Sequence, residues 1–136
     1  MFEPEDKNME IKIGKTDGKL DPELFNSVAH QAARRIAGDD LRKNDNKPTQ
    51  LRKFYDEIVL WDSKVSLHPE KFDEYLPFIR MLNAKAAYAK GRKLVDDNFV
   101  NLMHSGLAQV VCPETLHTFK LFMEAFMGFY KQERPN

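Results

Sequence analysis

The chain has 136 residues, 21 Lys and Arg against 21 Asp and Glu, a formal net charge of zero and one cysteine. That length supports a single domain burying roughly two-thirds of its unfolded surface, enough for a core that needs no metal or disulfide staple. A disulfide scaffold is excluded because Cys112 has no partner, and a membrane span because no apolar run approaches the ~20 residues a bilayer requires.

Residues 1–20 read as an arm of weak structure. Glu3, Glu5, Asp6 and Glu10 dominate residues 1–15, which resemble neither a signal nor a transit peptide, and with the lone cysteine they point to the cytoplasm. Ile11 and Ile13 hint at strand alternation, and Asp17-Gly18 is a turn signal. One helical-bundle domain is then expected over 21–136. Asp21-Pro22 predicts a helix start, and Leu24, Phe25, Val28, Ala32 and Ile36 share one helical face up to Gly38. Residues 38–48 form a polar connector.

A second helix opens at Lys47-Pro48-Thr49, with Thr49 as its expected cap, and carries Leu51, Phe54, Tyr55, Ile58, Trp61 and Val65 at 3–4 spacing. His68-Pro69 breaks it. A short helix near 69–75 follows, and Pro77 is expected to start a longer one with Leu76, Ile79, Leu82, Ala86 and Ala89 buried. Residues 96–110 repeat the pattern with Phe99, Val100, Met103, Leu107 and Val110. Pro113-Glu114-Thr115 begins a last helix faced by Leu116, Phe119, Phe122, Met123, Phe126 and Phe129. The fold class is all-α, a compact bundle of about five helices.

Catalytic and metal chemistry find little support, and no cofactor is expected. His30, His68, His104 and His117 are scattered, none at the spacing of a zinc-binding helix, and no second cysteine completes a thiolate site. The six glycines form no phosphate loop. Asp39-Asp40 and Asp96-Asp97 fall at helix boundaries, where capping explains them. Cys112 reads as core packing, and the phenylalanine stripe as a buried helix face whose excess could meet another subunit.

Charge is distributed in blocks. Residues 34–53 hold seven bases and three acids, and residues 80–94 hold five bases and no acid. Lys85, Tyr88 and Arg92 recur at i, i+3 and i+7 on one helical face. Arg34, Arg35, Arg42, Lys43, Lys47, Arg52 and Lys53 gather around the first helix end, the connector and the second helix start. Clustered cations without intervening carboxylates suit a phosphate backbone, and the helix start near Thr49 adds amide donors.

Thr49-Gln50-Leu51-Arg52-Lys53-Phe54-Tyr55 and Arg80-Met81-Leu82-Asn83-Ala84-Lys85-Ala86-Ala87-Tyr88-Ala89-Lys90-Gly91-Arg92 resemble two motifs of the small helical subunit of the type III-A CRISPR effector, the Csm complex. Leu51 stands where that family usually has Ile. Order, separation, chain length and helical content agree over roughly residues 45–130. The resemblance implies a non-catalytic subunit, present in several copies stacked beside the filament that carries the guide RNA. It contacts guide and target RNA backbone and other Csm subunits, while cleavage and signalling belong to its neighbours. Arg52, Lys53, Lys85 and Arg92 become the expected phosphate contacts, with Tyr88 stacking or packing beside them and Arg34, Arg35 and Lys47 as outlying candidates.

The main rival is a helical protein-interaction module without RNA affinity. The small subunit of the type III-B effector is a related alternative. A ribonuclease using His104 or His117 requires paired groups within hydrogen-bond reach, which no spacing here ensures.

Overall fold

A computed structural model describes residues 9–40 and 43–135. Arg42 and the first eight residues of the expected arm lie outside them. Among the described residues the regular structure is helical: α1 (Ala29–Ala37), α2 (Pro48–Leu67), α3 (Phe72–Arg80), α4 (Leu82–Gly91), α5 (Asp97–Ala108) and α6 (Pro113–Glu133). The one β-bridge among the described residues joins Thr16 and Lys19, closed by the expected turn with Asp17 and Gly18 both at positive φ. No helix among the described residues is long and apolar enough to cross a membrane.

The α6 helix is the spine. Phe119, Phe122, Met123, Phe126 and Tyr130 are all fully buried on it, and α1 and α2 pack on either side. Phe129 is the exception in the expected stripe. It is half-buried, with His30 stacked on its ring at 4.3 Å. Alanines 29, 32, 33 and 37 give α1 a small-residue face, so its backbone can approach α6 closely. The α5 helix meets the spine at Gly106, where a Cβ would lie 2.1 Å from the Phe119 ring. Only glycine fits there.

Several helix ends differ from the sequence reading. The first helix begins as a π-helical turn (Leu24–Val28), and Glu23 rather than Asp21 caps it by accepting the Ser27 N–H. Pro48 occupies the first position of α2, so Thr49 lies exposed inside the first turn and Lys47 takes the capping position without a side-chain bond. Pro77 does not open a helix. It sits inside α3, and the break comes at Met81. A 3-10 turn (Pro69–Lys71) has already nucleated α3 before Pro77. The proline then removes one ladder bond without stopping the helix. Cys112 is not core. It caps α6 in a reciprocal arrangement with Thr115, whose hydrogen bonds hold the thiol below its ordinary pKa. Asp96 caps α5 through the Phe99 N–H at 3.1 Å, as expected of that acid pair.

Residues 9–20 contain neither helix nor named strand, yet Met9, Ile11 and Ile13 point alternately into the core. Helix α5 stands in for a partner strand. Ser105 and Gln109 exchange hydrogen bonds with the backbone of Ile11, and Gln109 Oε1 accepts the Ile13 N–H at 2.8 Å.

The polar connector hides a buried asparagine whose backbone and side chain are both bonded. Asn46 is fully buried at φ +56. Its N–H donates to Leu94 O, its Nδ2 to Ile36 O, and its Oδ1 accepts the Asp96 N–H. The Tyr130 hydroxyl donates to Asn46 O, and burial pushes that phenol above its ordinary pKa, keeping it a donor. Arg134 adds bonds to Asp45 O and Lys43 O. Asn46 thereby fastens the start of α2 to the loop that follows α4.

Candidate nucleic-acid interface

That fastening brings the two sequence motifs together. Between α2 and α4 runs an open groove of about 260 Å³, lined by Gln50, Lys53, Phe54, Glu57, Lys85, Tyr88, Ala89, Arg92 and Leu94. Leu51, Phe54 and Ile58 anchor α2 in the core, and Leu82, Ala86 and Ala89 do the same for α4. The long polar side chains of both helices are left at the rim. Tyr88 is 68% exposed, and the Arg92 guanidinium lies 5.9 Å from its ring centroid, within cation–π range. Lys85 Nζ donates to both carboxylate oxygens of Glu57, at 3.0 and 2.9 Å.

On the other face of α2 a larger groove of about 630 Å³ opens against α6. It is lined by Pro48, Thr49, Arg52, Lys53, Asp56, Met127, Tyr130 and Lys131. Arg52 Nε lies 3.3 Å from Asp56 Oδ1, one helical turn along. Lys53 stands on the ridge between the grooves and lines both. Four of the expected residues, Lys53, Lys85, Tyr88 and Arg92, thus share one groove, and Arg52 and Lys53 share the other.

The remaining candidates are elsewhere. Exposed Arg34 lies 3.8 Å from Glu133, which also bonds His30. Arg35 is half-buried on α1, Lys47 is exposed just before α2, and none of the three lines either groove. Other cations of the basic blocks serve the fold: Lys43 donates to Ile36 O at the end of α1, Arg80 to Val110 O, and Lys90 pairs with Asp97. Gly91 has open space around its α-carbon and no positive φ, so nothing among the described residues requires glycine there. Lys93, at φ +63, makes the tight turn instead.

Sequence reasoning missed Glu57, Asp56 and Lys131 as groove residues. Glu57 is 28 residues from Lys85, and Lys131 belongs to a helix whose pattern announces only core. Of the histidines, His117 pairs with Asp62 at 3.0 Å and His104 is exposed on α5. Among the described residues no three His, Cys, Asp or Glu side chains are grouped to hold a metal ion.

A family model described as Csm2 Type III-A matches residues 21–136, nearly the whole chain. No curated protein and no solved structure gives a match.

Proposed function

Because the chain belongs to the Csm2 Type III-A family, the small structural subunit of the type III-A CRISPR complex, we propose that it performs no catalysis and contacts RNA backbone through the grooves flanking α2. The observation that carries this reading is the convergence of Lys53, Lys85, Arg92 and exposed Tyr88 on one groove from two motifs distant in sequence. Cations lining a groove neutralise successive phosphates whatever the bases, and pairing between guide and target reads the sequence. Tyr88, held by Arg92, offers a face to a sugar or base. Arg34, Arg35 and Lys47 meet RNA only beyond the grooves. Several copies stand in one complex, beside other subunits and in the cytoplasm.

A second reading, protein docking without RNA affinity, draws on a different surface. Leu60, Leu67, Phe78 and Met81 are exposed on α2, on α3 and at the α3–α4 break.

Fluorescence anisotropy with labelled single-stranded RNA across a salt series separates the two. Lys85→Ala, Arg92→Ala and Arg52→Ala should each weaken binding and flatten the logarithmic salt slope by about 0.7 per lost phosphate contact. Thermal stability should stay within about 0.5 kcal/mol of the parent, because all three positions are exposed. Unchanged affinity in all three variants would favour the docking module. Loss of folding in all three would make these residues structural.

A further inference from the structure

Both grooves contain a carboxylate beside the cations that would bind phosphate. Asp56 and Glu57 are adjacent in sequence, and successive residues of a helix point about 100° apart, so one enters each groove. The two pairs are unequal. Glu57 is only 26% exposed and receives two bonds from Lys85, an arrangement that occupies two of the three ammonium donors. Asp56 and Arg52 are both mostly exposed and meet at 3.3 Å through one helical turn, the geometry of a weak surface pair.

We infer that Glu57, and more weakly Asp56, are built-in competitors for phosphate: each carboxylate already holds donors of the cation that RNA must engage, which keeps the affinity of a single copy low. The inference rests on the RNA reading above and concerns regulation of the same grooves. A carboxylate and a phosphate oxygen compete for the same N–H donors, and the displaced carboxylate remains nearby to repel the incoming charge. A displaced Glu57 also takes up a solution cation. This offsets the counterion released from the RNA and makes the salt dependence shallower than the number of contacts implies. Copies arrayed along one RNA add such weak contacts together, so that firm binding becomes a property of the array and not of a stray subunit.

The test is a two-by-two set of full-length proteins, namely the parent, Glu57→Gln, Lys85→Ala and the double variant, titrated with one labelled single-stranded RNA at several salt concentrations. Glu57→Gln should bind about three-fold more tightly, in the range set by a partly exposed ion pair, with a salt slope steeper by about 0.7. The gain should vanish in the Lys85→Ala background. Asp56→Asn should gain less than two-fold. Glu124→Gln makes the same change in net charge on α6, where Glu124 pairs with Lys120 outside both grooves, and it should gain less than Glu57→Gln.

A weakening by Lys85→Ala with no gain from Glu57→Gln would overturn the competition and leave the RNA reading standing. A gain that persists without Lys85, or is matched by Glu124→Gln, would reduce the effect to net charge and overturn it too. Indifference to Lys85→Ala would overturn the competition and leave the RNA reading to Arg52, Lys53 and Arg92, and no binding by any of the four would overturn both readings.

Discussion

The α1–α6 seam and the α2–α4 seam are both built from amphipathic helices, yet one is closed and the other open. Helix α1 approaches the spine through alanines, makes the most extensive helix–helix contact among the described residues and lines neither of the two grooves. Helices α2 and α4 are each anchored to other elements, and they are bridged by the Asn46 clip at one end and by the Lys85–Glu57 pair. Space remains between them, and the cations at its rim keep their charged ends in water. Small side chains spend a helix face on packing, whereas long charged ones around a gap leave it available to a ligand.

Closing the packed regions further should have the largest effect. Gly106→Ala drives a methyl group into the Phe119 ring and should cost at least about 3 kcal/mol, seen as a fall of roughly 10 °C in Tm. Next comes the clip. Asn46→Ala strands the Asp96 N–H, leaves Ile36 O to Lys43 alone and puts alanine at positive φ, for a loss of about 3 kcal/mol in urea denaturation. Asn46→Gly should cost about 1 kcal/mol less, because glycine tolerates that backbone. Equal losses would mean that only the side-chain bonds matter.

Tyr130→Phe should cost about 1 kcal/mol at neutral pH by removing the donor to Asn46 O. The folded-state pKa of this phenol is raised, so its contribution is complete below the unfolded value of about 10 and is lost as pH rises through the folded value. The gap between parent and variant should therefore narrow in strongly alkaline denaturation series. On the open seam, Lys53→Ala should change stability by less than about 0.5 kcal/mol. It should weaken RNA binding more than Arg52→Ala does, since Lys53 borders both grooves.

The buried faces were legible because helix burial leaves a 3–4 rhythm. Leu51, Phe54, Ile58 and Val65 on α2 and Phe119, Phe122 and Phe126 on α6 lie where that rhythm puts them. Helix ends were less legible, since Pro77 can break a helix or be absorbed by one, and neighbouring turns decide. Asn46 was invisible because its four partners come from distant parts of the chain and a lone Asn in a polar connector looks solvated. The docked arm escaped for a similar reason: polar Ser105 and Gln109 carry no sign that they bind the backbone of residues 11–13. Of the interface, the cations Lys85 and Arg92 could be assigned to one face from their spacing alone. Their neighbours Lys53 and Glu57 required the tertiary fold.

The most direct test of the central claim is ultraviolet cross-linking in a reconstituted type III-A complex carrying guide and target RNA, with the adducts mapped by mass spectrometry. RNA adducts should appear on peptides of this subunit containing Gln50–Lys53 and Lys85–Arg92, with Tyr88 the most reactive position. Adducts confined to other surfaces, such as α1 or the region around Phe78 and Met81, would contradict the account.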